Sequence, residues 1–111
     1  MCSSDLNGKL TLGENLADLG GINLSVRALH KSYPNISLKD KQDFFKSYAL
    51  CWRRMMTQEK QKQQILSDPH SPAKCRIFMV RNIDAFYDAF INNIIKHDDL
   101  YLCHKDRIRM R

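Results

Sequence analysis

Apolar side chains recur at helical spacing along most of this chain, and no stretch of alternating apolar and polar residues is long enough to predict a β-strand. The aromatic side chains of the middle segment show the pattern most clearly: Phe44, Phe45, Tyr48 and Trp52. With Ser37 as a cap, they predict an amphipathic helix over residues 38–56. We therefore expect an all-α fold.

The other helices are predicted from caps, prolines and the same spacing. Thr11 and Glu14 have the spacing of a capping box, which predicts a first helix from Thr11 to about Ser32, ended by Tyr33-Pro34. Within it, Gly20-Gly21 costs about 1 kcal/mol of helix propensity per glycine, so we expect another element to pack closely there. Further helices are predicted over residues 58–66 (capped by Thr57), 72–80 (capped by Ser71) and 81–95, before an irregular end.

The chain is basic, with a net charge of +6, but the charge is scattered apart from Arg53-Arg54 and residues 107–111. No aromatic residues interleave with these two clusters, so a base-stacking surface for nucleic acid is not predicted. If the chain did bind DNA or RNA, its affinity would fall steeply with salt. No run of about 20 apolar residues predicts a membrane span, and the first residues lack the apolar centre of a secretory signal. Either the chain acts inside the cell, or a targeting segment lies upstream.

The four cysteines are far apart in the sequence: Cys2, Cys51, Cys75 and Cys103. No C-x-x-C pair occurs, so neither a zinc knuckle nor a thioredoxin-type redox site is indicated. Free thiols in a reducing compartment are the simpler expectation.

Glu14 and Asp18 are the first candidate site residues. Because they are four residues apart, they share one helix face, and apolar residues flank both. Two solvated acids are the ordinary explanation of such a pair, and a metal site is the sharper one. A catalytic zinc needs three protein ligands and an open position, yet no two histidines are spaced four apart and no H-E-x-x-H occurs. Spacing alone therefore offers one ligand, Glu14, and not three.

Four segments carry longer motifs. Residues 7–21 have the sequence NGKLTLGENLADLGG, residues 44–52 FFKSYALCW, residues 68–76 DPHSPAKCR, and residues 84–90 DAFYDAF. They resemble NGxxTLGENxADLGG, FFxxFAxxW, DPHSPxxxR and, loosely, FxxFYxAF of the neprilysin and endothelin-converting-enzyme family of zinc endopeptidases. The resemblance covers residues 7–111, leaves residues 1–6 unassigned, and implies the helical C-terminal part of a thermolysin-like zinc peptidase domain.

The resemblance implies roles for four residues. Glu14 resembles the third zinc ligand, a carboxylate that joins two neutral histidines and leaves the metal a net positive charge. Asp18 resembles the carboxylate that orients one zinc-bound histidine. His70 resembles the catalytic donor to the oxyanion of the tetrahedral intermediate, and Arg76 resembles the arginine that binds the substrate backbone carbonyl after the scissile bond. Five aromatic residues are assigned to core packing instead: Phe44, Phe45, Trp52, Phe86 and Tyr87.

The chain also departs from the family. H-E-x-x-H, which supplies two histidine ligands and a glutamate base, and an NAYY-like strand lie upstream of these segments in the family and do not occur in this sequence. The family commonly has cysteines at the positions of Arg53 and Ile108 and a tryptophan at that of Arg111; the missing cysteines favour an intracellular protein. Residues 76–79, RIFM, stand where the family has RVNG, so the pocket beyond Arg76 is not implied.

Two hypotheses for the function follow. The first is a C-terminal segment of a zinc metalloendopeptidase, which cleaves a peptide substrate with a zinc-activated water only when an upstream H-E-x-x-H segment completes it. The alternative is a non-catalytic helical interaction module left after loss of the H-E-x-x-H half. In both cases the isolated chain is expected to be inactive and to form a marginal or aggregating monomer, because its apolar faces lack their upstream neighbour.

Overall fold

The computed structural model describes residues 8–93 and 99–109. Every regular element within these ranges is helical: α1 (Gly8–Ser32), α2 (Leu38–Cys51), α3 (Gln58–Ser67), α4 (Ala73–Ile77), a 3₁₀ helix (Phe78–Asn82), α5 (Asp84–Ala89) and a 3₁₀ turn (His104–Asp106). The predicted all-α fold is confirmed for this part of the chain. None of the helices in it is long and apolar enough to cross a membrane.

Helix caps with a local hydrogen bond occur where the sequence predicted them. The hydroxyl of Ser37 accepts the backbone N–H of Asp40 at 3.1 Å, and that of Thr57 accepts the N–H of Lys60 at 3.3 Å. Helix α1 ends at Ser32, as predicted, before Tyr33-Pro34. The predicted start of α1 at Thr11 was wrong, because the helix begins at Gly8. Thr11 lies inside the helix and is buried, 3% exposed.

Helix α2 ends at Cys51, so its prediction over residues 38–56 was too long. Met55 is fully exposed, and the residues after Trp52 bury no apolar face that would reward another turn of helix. Ser71 does not cap α4; Pro72 holds the N-cap position without a side-chain hydrogen bond. The hydroxyl of Ser71 instead donates to another helix, as described below.

The two helices predicted over residues 72–80 and 81–95 are divided differently. A 3₁₀ helix over Phe78–Asn82 separates α4 from α5. Ile83 is extended between the 3₁₀ helix and α5, and both it and Val80 are buried in the core, so the chain does not continue as one α-helix through this point. Residues 94 and 95, where the second prediction ended, lie outside the described residues.

The core joins α1 and α2 to the segment around α5. Its buried apolar residues are Leu19, Ile22, Val26, Phe45, Val80, Ile83, Phe86 and Ala89. The ring of Phe86 lies 5.4 Å from that of Phe45, edge to face, an arrangement that adds to the burial of the two rings. Phe44 and Tyr87 pack against this cluster, so the predicted core role is confirmed for four of the five aromatic residues. Trp52 is the exception and lies elsewhere.

Three leucines of helix α1 remain exposed: Leu12, Leu16 and Leu24. Leu24 lies on the side of the helix away from Leu19, whereas Leu12 and Leu16 lie beside the face that Leu19 buries. A Cβ added at Gly21 would meet nothing within 4 Å. No element of the described chain packs closely at Gly21, so the expected close packing at Gly20-Gly21 stays a prediction.

Cysteine chemistry also differs from the expectation of free thiols. Cys75 is disulfide-bonded, whereas Cys51 and Cys103 are free and exposed. Cys2 lies outside the described residues. The disulfide at Cys75 removes part of the basis for predicting a reducing compartment.

Side-chain contacts tie residues 99–109 to the 3₁₀ helix and α5. The Tyr87 hydroxyl donates to the carbonyl of Arg81 at 2.8 Å and accepts the N–H of Leu102 at 2.9 Å. The guanidinium of Arg107 lies 3.7 Å from the centre of the Tyr87 ring and donates to Asp84 at 2.8 Å. This segment is therefore held by polar contacts rather than by helix packing.

The Asp84 contacts predict a pH dependence of stability. Burial acts to raise the pKa of Asp84, but hydrogen bonds from Arg107 and Arg109 outweigh it and lower the pKa below the ordinary value of 3.8. A lowered pKa in the folded state stabilises the fold above the unfolded-state pKa, and this contribution disappears as the pH falls through the folded-state value. We expect Asp84→Asn to lower the urea midpoint at about pH 7 and to have no effect below about pH 2. A difference between wild type and variant that stays constant over this range would contradict the assignment.

Candidate active site

The loop before α4 lies against the first turns of α1 and brings the predicted site residues together. The hydroxyl of Ser71, 2% exposed, donates to the side-chain carbonyl of Asn15 at 2.7 Å across a separation of 56 residues. The amide group of Asn15 in turn reaches the Thr11 hydroxyl at 3.5 Å. Ser71 therefore joins the loop before α4 to α1 instead of capping α4.

This contact predicts a stability effect. Ser71→Ala leaves the partly buried Asn15 carbonyl without its hydrogen-bond donor. We therefore expect the free energy of unfolding to fall by about 1–2 kcal/mol. Ser67→Ala is the matched control, because the Ser67 hydroxyl donates only to the Gln63 carbonyl on an exposed helix surface and should change stability by less than about 0.5 kcal/mol. Urea unfolding followed by circular dichroism measures both. Equal midpoints for the two variants would exclude an anchoring role for Ser71.

His70 lies between two carboxylates. Its Nε2 is 3.2 Å from Oε2 of Glu14, and its Nδ1 is 2.9 Å from Oδ1 of Asp68. The same Asp68 oxygen accepts the backbone N–H of His70 at 2.8 Å, a turn typical of aspartate. These backbone and ring hydrogen bonds from His70 lower the pKa of Asp68. A neutral imidazole donates from one nitrogen only, so donation to both carboxylates requires the protonated ring.

Asp18 and Arg76 form a two-point ion pair. Nε and Nη2 of Arg76 donate to Oδ2 and Oδ1 of Asp18, both at 2.7 Å. The two side chains are only 14% and 16% exposed, so the pair is well shielded from water. Each carboxylate oxygen keeps a further lone pair, so Asp18 can hold Arg76 and still accept a hydrogen bond from another group, such as a histidine ring.

Two residues at the site were missed by the sequence analysis. The ring of Trp52 stacks on the guanidinium of Arg76, with 3.6 Å from its carbon to the ring centre. Tyr48 donates from its hydroxyl to the backbone carbonyl of Arg76 at 2.9 Å. Helical spacing assigned both to an apolar face; only their polar groups distinguished them from the neighbouring phenylalanines.

The side chains at this site determine whether it could bind a metal ion. Among the described residues, no group of three His, Cys, Asp or Glu side chains is placed to hold a metal ion. Glu14 is about half exposed at the edge of the cluster, so its carboxylate suits one position of a zinc site that needs three protein ligands. His97 lies outside the described residues. The described residues therefore offer Glu14 as a single candidate ligand and not a complete zinc site.

Comparison with known proteins defines the class. The model of peptidase family M13 matches residues 1–108. The chain therefore belongs to peptidase family M13, which confirms the resemblance to the neprilysin and endothelin-converting-enzyme family.

Individual relatives agree with the family match. The chain is 41% identical over 98 residues to Neprilysin-1 of Caenorhabditis elegans, with 77% of this chain and 13% of that protein covered. It is 34% identical over 105 residues to a neutral endopeptidase of Lactococcus lactis subsp. cremoris, with 94% of this chain and 16% of the relative covered. For endothelin-converting enzyme 1 of Bos taurus the identity is 34% over 95 residues, covering 77% and 13%. The chain thus spans about a sixth or less of these relatives. No solved structure matches it.

Proposed function

We propose that residues 7–111 are the C-terminal segment of a neprilysin-like zinc metalloendopeptidase. The observation that carries this proposal is the convergence of Glu14, Asp18, His70 and Arg76. Asp18 and Arg76 are in contact across 58 residues of sequence, and Glu14 and His70 are in contact beside them. Only their family resemblance had suggested that these four residues belong together.

In this proposal each residue has one task. Glu14 is one of three protein ligands to a zinc ion, which when bound would activate a water molecule for attack on a peptide bond. Asp18 orients a histidine ligand from the upstream segment, because a carboxylate partner fixes the tautomer of such a ring. Arg76, held by Asp18, directs its remaining donors towards a substrate backbone carbonyl.

His70 acts as the donor to the substrate oxygen on which negative charge develops. Asp68 accepts from Nδ1 and from the backbone N–H of His70, so Nε2 faces the site and donates there from the protonated ring. A donor aimed where charge develops contributes about 3–4 kcal/mol to lowering the barrier. The contact of Nε2 with Glu14 then describes the state without substrate.

The exposed leucines of α1 support a missing neighbour. Leu12, Leu16 and Leu24 are exposed on the helix that carries Glu14 and Asp18. A neighbour that adds two histidine ligands has to lie close to that helix. The alternative, a non-catalytic helical interaction module, uses the same leucines, but it gives no reason for Glu14 and Asp18 to converge with His70 and Arg76.

The subcellular location remains a prediction. The missing family cysteines favour an intracellular protein, whereas the disulfide at Cys75 favours an oxidising compartment.

Completion of the site in trans tests the proposal. The partner is the part of a family member that carries H-E-x-x-H and ends before the region that matches this chain. The two polypeptides are mixed, and the mixture is assayed for zinc retention and peptide cleavage. We expect zinc-dependent cleavage with the wild-type chain and none with Glu14→Gln, which keeps the size of the side chain but is a much poorer metal ligand. Lys39→Gln, at an exposed ion pair on α2, is the control. Association without zinc retention or cleavage would favour the interaction module.

The isolated chain gives a second test. With one carboxylate ligand it should lose zinc on dialysis, since stable zinc sites use three or four protein ligands. Stoichiometric zinc that survives dialysis, and that Glu14→Gln does not remove, would contradict the assignment of Glu14 as the ligand.

A further inference from the structure

Tyr48 contacts Arg76 from a different helix. Its hydroxyl, on α2, donates to the backbone carbonyl oxygen of Arg76 at 2.9 Å, across 28 residues of sequence. That carbonyl lies one residue before α4 ends at Ile77 and the chain continues as a 3₁₀ helix. The same carbonyl accepts the backbone N–H of Phe78, so Tyr48 adds a hydrogen bond from another helix at the junction between α4 and the 3₁₀ helix.

A second path runs from Tyr48 to the same arginine through Trp52. The Tyr48 and Trp52 rings are 6.2 Å apart in an edge-to-face arrangement, and the face of Trp52 lies 3.6 Å from the Arg76 guanidinium. Arg76 is therefore held at three points. Tyr48 holds its carbonyl, Trp52 holds the plane of its guanidinium, and Asp18 holds Nε and Nη2.

The hydroxyl of Tyr48 is suited to be a permanent donor. Burial, together with the nearby negative charge of Asp18, raises the pKa of Tyr48 to about 12 against the opposing effects of Trp52 and Arg76. The phenol therefore stays protonated at ordinary pH. The family pattern FFxxFAxxW has phenylalanine where this chain has Tyr48, so the hydrogen bond is an addition to that pattern rather than part of it.

We propose that Tyr48 is a positioning residue, whose hydroxyl and ring hold Arg76 in the orientation in which it meets the substrate backbone. The role of Arg76 towards substrate rests on the proposed function. The hold of Tyr48 on Arg76 does not, and the two are tested separately.

The test is the exchange of the Arg76 side-chain Nε proton with water, measured by ¹⁵N NMR on the whole chain. Because this proton is bonded to Asp18, it exchanges only when the pair opens. Tyr48→Phe keeps the ring but removes the hydroxyl. We expect exchange to accelerate about fivefold, the factor that one ordinary hydrogen bond allows. Arg76→Lys identifies the signal by removing it.

Tyr87→Phe is the matched control, because it removes another half-buried hydroxyl with three hydrogen bonds in contact with neither Arg76 nor Trp52. It should weaken the fold while leaving Arg76 exchange at the wild-type rate under native conditions. Two results would overturn the proposal: an unchanged rate in Tyr48→Phe, or equal acceleration in both tyrosine variants.

The effect of Tyr48 on peptide cleavage is measured with the site completed in trans. There Tyr48→Phe is expected to raise KM with kcat nearly unchanged, the signature of weaker binding in ground and transition states alike. If Arg76→Met leaves cleavage unaffected, the substrate role of Arg76 fails, while the NMR result still decides whether Tyr48 holds Arg76.

Discussion

Asp18→Ala is expected to destabilise the chain by about 3–5 kcal/mol, enough to unfold much of a small domain. The substitution leaves the Arg76 guanidinium largely buried without its two-point partner at 2.7 Å. The cost is mainly that of an uncompensated charge, because a buried ion pair contributes modestly when intact and costs much when one partner is lost. Urea unfolding followed by far-ultraviolet circular dichroism measures the change.

Asp43→Ala is the matched control for this prediction. Asp43 accepts a hydrogen bond from Lys39 at 2.6 Å, but the pair lies on the exposed surface of α2. Exposed ion pairs contribute little, so the urea midpoint should not move. If Asp18→Ala and Asp43→Ala have the same midpoint, the Asp18–Arg76 pair does not hold α4 to α1. Asp18→Asn keeps the volume of the side chain and separates the loss of charge from the loss of packing.

Phe86→Ala is expected to lower the free energy of unfolding by about 3–5 kcal/mol through a cavity in the core. The Phe86 ring contacts the rings of Phe45 and Phe90 at 5.4 and 5.3 Å and joins α5 to α2. Leu24→Ala is the control, because Leu24 is 67% exposed and its loss should change stability by less than about 0.5 kcal/mol. Thermal unfolding of the two variants beside wild type distinguishes them. A small effect of Phe86→Ala would mean that the aromatic cluster is loosely packed.

The parts of the fold that were predicted from the sequence depend on residues that are close together in the chain. Ser37 and Thr57 cap helices through bonds to the third residue onward, and Pro34 limits α1 by local steric effects. Ser71 has the same local signature as these caps, yet Pro72 holds the cap position of α4, and the Ser71 hydroxyl donates to a partner 56 residues away. Likewise the predicted α-helix is interrupted at Ile83, which is extended and buried in the core. Such tertiary competition is not encoded in a short window of sequence.

The candidate site was also predicted only in part. Motif resemblance identified Glu14, Asp18, His70 and Arg76, but not the pairs they form. The stacking of Arg76 on Trp52 could not be predicted from the sequence. The sequence predicted that α2 continues beyond Trp52, which would place Trp52 on the apolar face of that helix. The chain instead leaves the helix at Cys51, and the indole turns to the guanidinium rather than to the phenylalanine cluster.

Helix α3 has a separate consequence for how this site can vary. None of its residues is buried, and it lies between Trp52 and Asp68, which meet the site from either side. Shortening or lengthening such a connection changes the entropy of closing the loop only slowly, by about 0.6 kcal/mol for each doubling of length. Substitutions and insertions can therefore accumulate on α3 while the geometry of the site stays the same. The same exposed helix offers attachment points for a fluorescent label at positions other than Gln61 and Gln64, which line the pocket beside Trp52 and Arg76.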